Sequence, residues 1–119
     1  MKNILLSTLF FQLSSNCLAC LPANGEEFEI SGEIVPALYK TEDSLTHYRA
    51  LKFDKAECFA PDGEFSDNEV SLSQVQLIIP EELKIEIGKK YTVRGTAFHW
   101  HTGHHFTGVV LSVKNAEKL

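Results

Sequence analysis

The chain has 119 residues, with 11 lysines and arginines against 16 aspartates and glutamates, which gives a net charge of -5. That length suits a single domain, since domains are typically about 100–150 residues long. The acidic balance argues against a nucleic-acid-binding protein, which needs a basic surface to displace counterions from phosphates. Because 44% of the residues are hydrophobic and 10% are aromatic, the composition also excludes a disordered chain.

The N-terminal segment has the pattern of an export signal. One lysine precedes an apolar stretch of about ten residues, too short to cross a bilayer, which takes about 20. Cys17 and Ala19 place small side chains before a cleavage site. We therefore predict a signal peptide at residues 1–19 and one periplasmic or secreted domain at residues 20–119. The alternatives are a buried N-terminal helix and a lipoprotein acylated at Cys20, although Cys17 stands where lipoprotein signals carry a large aliphatic residue.

Export determines how the cysteines are interpreted. Two cysteines normally form a disulfide in an oxidising compartment, and only Cys20 and Cys58 remain after cleavage. Such a bridge closes a loop of about forty residues and contributes roughly 4 kcal/mol to stability on the chain-entropy model. The alternative is that Cys58 acts as a nucleophile, which requires a lowered thiol pKa. The carboxylates of Glu57 and Asp62, which are close in sequence, oppose that effect.

Alternation of apolar and polar residues predicts five strands. They cover about residues 27–34, His47–Phe53, Glu69–Ile79, Lys89–His101 and His104–Lys114. A short helix of at most two turns is predicted between the third and fourth strands. Its start is marked by a proline and two glutamates and its end by a glycine, all within residues 80–88.

This order of elements predicts a mainly β fold, a small five-stranded OB-like β-barrel with one short helix between strands three and four. Gly32 and Gly95 interrupt the first and fourth strands. Glycines at such positions allow the bends that a short barrel needs at its corners. The alternative is an open β-sandwich or another small barrel.

Four of the five histidines lie in one segment near the end of the fourth predicted strand. We expect a bulge near Gly95 to exchange the two faces of this strand. Phe98 and Trp100 would then point into the core, while His99 and His101 would point outward together.

The turn that follows determines which histidines meet. A two-residue turn at Thr102–Gly103 places His101 opposite His104, so that His99, His101 and His104 share one face. A three-residue turn brings His105 opposite His101 instead.

These histidines form a candidate metal site. Three neutral imidazoles on neighbouring strands can bind zinc or copper and leave one coordination position open. The candidate ligands are His99, His101, His104 and His105. The segment contains no carboxylate that could serve as a fourth ligand or as a general base. The alternative is that the histidines line a tight turn and donate hydrogen bonds to loop carbonyls.

Gln74 and Gln76 share one face of the third predicted strand and are candidate ligand contacts. In OB barrels the second and third strands form part of the binding face. The alternative is that both glutamines simply lie on the solvent side of the strand. The sequence has no nucleophile elbow, phosphate loop or dinucleotide-binding fingerprint.

The motifs together resemble a bacterial exported family, domain of unknown function 4431. The matching segments are Cys20-Leu21, Phe28–Gly32, Leu51–Phe53, Glu57-Cys58, Val75–Ile79, Gly88–Gly95 and His101–His105. The family often has proline before its second cysteine, where this chain has Glu57. The resemblance implies export, a pair of cysteines and a β-rich domain, and it implies no particular activity.

These features favour a non-catalytic binding or interaction module of the periplasm. Removal of residues 1–19 leaves 10 basic against 16 acidic residues, a charge of -6 that suits a cationic partner in the envelope. The alternative is a zinc- or copper-binding protein that uses the histidines, and a metal-assisted hydrolase is the least favoured. We expect no nucleic-acid partner, and contact with a membrane only if Cys20 carries lipid.

Overall fold

The computed structural model describes residues 19–119, so all but the last residue of the predicted signal peptide lies outside the described residues. Within this range the chain forms five strands. They are β1 (Asn24–Lys40), β2 (Leu45–Phe59), β3 (Val70–Ile78), β4 (Lys90–His99) and β5 (Val109–Lys118). The predicted mainly β class with five strands is confirmed.

The five strands form one sheet that closes on itself in the order β1-β2-β3-β5-β4. All neighbouring strands are antiparallel except β3 and β5, which are parallel. β1 pairs with two strands, each along a different part of its length. Residues 24–33 pair with β4, and residues 33–40 pair with β2.

The core lies inside the closed sheet and follows the alternation of the strands. Every strand contributes at least one apolar side chain with an exposed fraction of 1% or less. These include Ile34, Leu51, Phe59, Val75, Val93 and Leu111. Burial of each such side chain stabilises the fold by about 1.5–3 kcal/mol relative to leaving it exposed.

A disulfide joins Cys20 to Cys58, as predicted, with the two Cα atoms 4.7 Å apart. Backbone hydrogen bonds support this junction, since the Leu21 N–H donates to the Cys58 carbonyl and the Ala60 N–H donates to the Leu21 carbonyl, both at 2.8 Å. The start of the described chain is therefore fixed against the end of β2.

The bulge that was expected in β4 lies in β5 instead. Arg94 pairs with Asn115, and the next residue of β4, Gly95, pairs with Val113. Lys114 is therefore the extra residue. The prediction was wrong because a bulge can lie on either strand of a pair, and the sequence does not tell which.

Because β4 has no extra residue, its alternation continues unbroken to its end. Ala97 and His99 are buried, whereas Trp100, just beyond the strand, is 54% exposed. Phe98 lies on the outer face with partial burial. The predicted exchange of faces, with Phe98 and Trp100 in the core and His99 outside, is therefore wrong.

The predicted helix between the third and fourth strands is absent. Residues 79–89 contain two tight turns, one closed by a hydrogen bond of 3.1 Å from the Leu83 N–H to the Pro80 carbonyl and the other by a bond of 3.4 Å from the Lys89 N–H to the Glu86 carbonyl. Leu83 and Ile85 alternate with polar residues, so an extended chain buries both against the core. Within residues 19–119, no helix is long and apolar enough to cross a membrane.

Gly32 and Gly95 lie where strands approach too closely for any side chain. A Cβ atom on Gly95 would overlap the Ser112 carbonyl oxygen and lie 3.2 Å from the Val113 Cα atom. A Cβ atom on Gly32 would lie 2.6 Å from the Lys52 carbonyl oxygen. In both cases the obstacle is backbone, which cannot rotate away.

We predict that Gly95→Ala lowers the free energy of unfolding by about 1–3 kcal/mol or more, because the sheet must open to admit a methyl group. Gly103→Ala is the matched control, since a Cβ atom there meets nothing within 4 Å, and it should change stability by less than about 0.5 kcal/mol. Urea unfolding of both variants checks this. Equal effects of the two substitutions would contradict the close approach at Gly95.

Candidate functional site

The connection between β4 and β5 is longer than the predicted two-residue turn. His99 is the last residue of β4 and pairs with Val109, so residues 100–108 form the connection, which we call the histidine loop. The structure therefore contains neither of the two alternatives, the two-residue turn at Thr102–Gly103 and the three-residue turn. Within the loop, the His105 N–H donates a 3.2 Å hydrogen bond to the Thr102 carbonyl.

His99 is separated from the other three candidate metal ligands. Its side chain is only 2% exposed, and its Nε2–H donates a hydrogen bond of 2.7 Å to the Ala60 carbonyl oxygen. The ring therefore joins the end of β4 to the connection between β2 and β3. The structure does not place His99 on a common face with His101 and His104.

His101 and His105 lie together and bond to the loop backbone. Their rings are 4.7 Å apart and close to perpendicular, at 77°. His101 Nδ1–H donates to the His99 carbonyl oxygen at 2.8 Å, and the His101 backbone N–H donates to His105 Nδ1 at 3.2 Å. Because Nδ1 of His105 accepts this bond, its neutral form carries its proton on Nε2.

The pKa of His105 lies below the ordinary histidine value. Burial is the largest cause, followed by repulsion from His101 and His104. A neutral ring also fits the hydrogen bond that His105 accepts, because a protonated ring has no free acceptor.

Zinc or copper binding by the histidines stays a prediction. In the part of the chain that the structure describes, one group of three potential donor side chains lies within ligand distance, and it consists of Cys20, Cys58 and Glu69. Two of these are joined in the disulfide, which removes the thiolates that a metal would need.

Gln76 anchors the histidine loop. It is 7% exposed, its side-chain amide donates to the His104 carbonyl at 3.1 Å, and its Oε1 accepts the Phe106 N–H at 2.6 Å. Its backbone N–H also donates to Thr107 Oγ1 at 2.9 Å. The amide that was predicted to face a ligand is therefore used within the chain. Gln74 is half-buried and pairs with a lysine of β2.

Sequence reasoning missed an aromatic cluster at the far end of the histidine loop. Phe106 packs against Tyr39 of β1 and Tyr48 of β2, with ring centres 4.8 Å and 5.2 Å away. Burial raises the pKa of the Tyr48 hydroxyl. The alternation of β1 and β2 gives the outward positions of both tyrosines, but nothing in the local sequence indicates that Phe106 covers them.

A long stretch of mostly acidic charge lies at the end of β2 and in the connection to β3. We call residues 54–69 the acidic segment. It has one basic residue, Lys55, and six acidic ones, Asp54, Glu57, Asp62, Glu64, Asp67 and Glu69. A count of charge in successive windows of the sequence would have found it.

Asp62 organises the acidic segment. Its Oδ1 accepts backbone N–H bonds from Glu64, Phe65 and Ser66, each 2.9 Å long. These hydrogen bonds lower the pKa of Asp62, and the bond from Glu64 has the largest effect. The nearby His99 lowers this pKa slightly further. The carboxyl group is therefore ionised at neutral pH.

The acidic segment and the histidine loop are in contact. The ring of Phe65 stacks on that of His101, with centres 4.3 Å apart and planes 12° from parallel. Phe65 is nevertheless 52% exposed. Together with the bond from His99 to Ala60, this contact makes the two connections one continuous surface.

We predict that the histidine loop loses stability in mild acid. The folded pKa of His105 is lowered, so the unfolded chain binds a proton more readily, beginning near its pKa of about 6.5. The contribution to stability is therefore full above that pH and is lost as the pH falls through the folded pKa. After correction for the intrinsic pH dependence of amide exchange, protection of the loop amides should be lower at about pH 5 than at about pH 7.5.

His105→Gln should reduce this pH dependence, because glutamine offers an acceptor that does not titrate in this range. His47→Gln, at an exposed position on β2, is the control and should leave the dependence unchanged. If both variants keep the full pH dependence, another group is responsible.

We predict that Gln76→Ala lowers the free energy of unfolding by about 1–3 kcal/mol, because it leaves buried polar groups of the loop without partners. Exchange of the Phe106 amide should accelerate, since that N–H loses its acceptor. Gln74→Ala is the control and should change stability by less than about 0.5 kcal/mol. Similar losses in the two variants would show that Gln76 has no special role in holding the loop.

Comparison with known proteins supports the resemblance seen in the sequence. No curated protein matches the chain. A family model matches residues 74–117, which run from β3 to near the end of β5 and include the histidine loop. Cys20, Cys58 and the acidic segment precede the matched span. Over residues 74–117 the chain is thus similar to the family described as Domain of unknown function (DUF4431).

Proposed function

We propose that this protein is an exported, non-catalytic binding module, built on an OB-like barrel, that binds a cationic partner of the cell envelope through the acidic segment. The uneven distribution of charge carries this proposal. Residues 54–69 hold six acidic residues and one lysine, whereas the rest of residues 20–119 holds ten acidic and nine basic residues. One short segment therefore has a net charge of -5, and the rest of residues 20–119 has a net charge of -1.

The strand order supports the OB-like assignment. A five-stranded closed sheet in which β1 pairs with both β2 and β4, and β3 runs parallel to β5, has the Greek-key order of that barrel. In OB barrels the connection between the fourth and fifth strands borders the binding face. The histidine loop holds that place, and the acidic segment contacts it through Phe65 and His101.

Electrostatics explains how such a surface would select its partner. Charges act over a Debye length of about 8–10 Å at moderate ionic strength. Several carboxylates within that range steer a cationic protein or peptide and raise its association rate. The exposed ring of Phe65 lies amid them and offers apolar contact area.

Binding is favoured over catalysis by what the polar side chains already do. His99 donates to the Ala60 carbonyl, and Asp62 accepts three backbone N–H bonds. The side-chain amide of Gln76 donates one hydrogen bond to the histidine loop and accepts another from it. These groups hold the connections in shape, and a rigid surface loses less entropy when a partner binds.

The N-terminal pattern and the disulfide support export. A disulfide between Cys20 and Cys58 is stable in the periplasm or outside the cell and is rare in the cytoplasm. A Cys20 sulfur bonded to Cys58 also has no valence left for a lipid. We therefore propose an unlipidated periplasmic or secreted protein.

Titration calorimetry with defined peptides tests the binding role. The oxidised protein, purified after export, should bind hexa-arginine at 20 mM NaCl, bind it more weakly at 300 mM NaCl, and not bind hexa-glutamate. The variant Glu64→Gln/Asp67→Asn/Glu69→Gln should bind hexa-arginine about tenfold more weakly, since each exposed pair contributes about 0.2–1 kcal/mol.

The matched control is Glu42→Gln/Asp43→Asn/Glu81→Gln. It removes the same charge from exposed positions outside the acidic segment, and binding should change less than about twofold. Absence of hexa-arginine binding, or equal weakening in both triple variants, would refute a partner site on the acidic segment.

A further inference from the structure

A pocket of about 240 Å³ lies between the start of β1 and the acidic segment. We propose that it binds one arginine side chain of a cationic partner, an inference that rests on the proposed function. Its lining residues include the acidic Asp62 and Glu64 and the aromatic Phe65 and Phe98. The family match begins at residue 74. Asp62, Glu64 and Phe65 therefore lie outside the matched span.

The combination of walls suits a guanidinium group. Carboxylates supply opposite charge, and an aromatic face attracts a cation within about 6 Å of its centre. A guanidinium group uses both, because it is planar, stacks on rings and donates several hydrogen bonds in its plane. No lysine, arginine or histidine lines the pocket, so within it neither carboxylate has a cationic side chain as a partner.

Asp62 can meet such a group without losing its structural role. All three backbone bonds of its carboxylate go to Oδ1. Within residues 19–119, no hydrogen bond reaches Oδ2. The carboxylate is thus oriented by one oxygen and retains the other for a donor from outside the chain.

The two aromatic walls are held in place by the histidine loop. Phe65 stacks on His101 at 4.3 Å. Phe98 contacts the rings of His101 and His105 at 5.6 Å and 5.0 Å. Walls that are fixed before binding cost less ordering entropy when the ligand enters.

The size of the pocket limits its occupant. Sites for drug-sized molecules usually measure about 300–1,000 Å³, and this pocket of about 240 Å³ is smaller. One long side chain from a larger partner fits this volume. The rest of the partner would then lie over the acidic segment outside.

NMR titration with an acetylated, amidated Gly-Arg-Gly peptide tests the pocket. Backbone amide shifts should concentrate at Gly25, Glu64 and Phe65, and the same peptide with citrulline should produce none of them. Gly-Lys-Gly should bind several-fold more weakly, because its ammonium group neither stacks nor forms paired bonds.

Two variants with matched controls separate the pocket from the general acidity of the segment. Asp62→Asn keeps the Oδ1 acceptor, removes the charge, and should weaken Gly-Arg-Gly binding about tenfold. Asp67→Asn removes the same charge outside the pocket and should change binding less than about twofold. Phe65→Leu should weaken binding about two- to fivefold, and Trp100→Leu, at an exposed ring outside the pocket, should not.

The outcomes distinguish this inference from the proposed function. If hexa-arginine binds but Gly-Arg-Gly shifts are spread over the surface, or if Asp62→Asn equals Asp67→Asn, the pocket is refuted and the acidic surface stands. If hexa-arginine does not bind, the proposed function fails. An unchanged pattern of amide shifts in the histidine loop of Asp62→Asn shows that the variant is folded, so that loss of binding reports on the pocket.

Discussion

The close approach of backbones at Gly32 and Gly95 is the constraint on which the rest of the molecule depends. β1 has to leave β4 and continue along β2, and β4 has to stay in register with a β5 that carries an extra residue. Both are possible only where the strands can bend and pack without an intervening side chain. The acidic segment and the histidine loop meet because this closure brings the ends of β2 and β4 together.

The fold class, the number of strands and the disulfide could be predicted, because alternation and cysteine pairing are local or nearly unique signals. The faces of β4 could not. Phe98 and Trp100 are apolar and His99 is polar, so hydrophobicity alone favours the wrong orientation. His99 can be buried because its Nε2–H donates to the Ala60 carbonyl, and a partner 39 residues away in the chain cannot be inferred from residue spacing. The prediction of the helix was wrong for a related reason. The alternation of Leu83 and Ile85 with polar residues outweighed the helix start and end signals on either side of them.

In the candidate site, too, the sequence could predict features that depend on neighbouring residues but not contacts between distant parts of the chain. The sequence indicated the histidines as candidate ligands. In the structure two of them, His99 and His101, donate hydrogen bonds to backbone carbonyl groups. Gln76 was predicted as a ligand contact, but its amide bonds to the histidine loop, and the sequence of β3 does not show that this loop folds over it. The charge of the acidic segment could be read from the sequence. The pocket that it forms with Phe98 could be seen only in the structure.

The position of the disulfide has a consequence for the order of the acidic segment. Cys58 lies within this segment, where a net charge of -5 over residues 54–69 makes the segment repel itself. The disulfide fixes one end of the segment beside Leu21, and a reduced chain lacks that restraint. Reduction therefore gives a looser segment that proteases reach more easily. Formation of one covalent bond and completion of the acidic surface are thereby the same event.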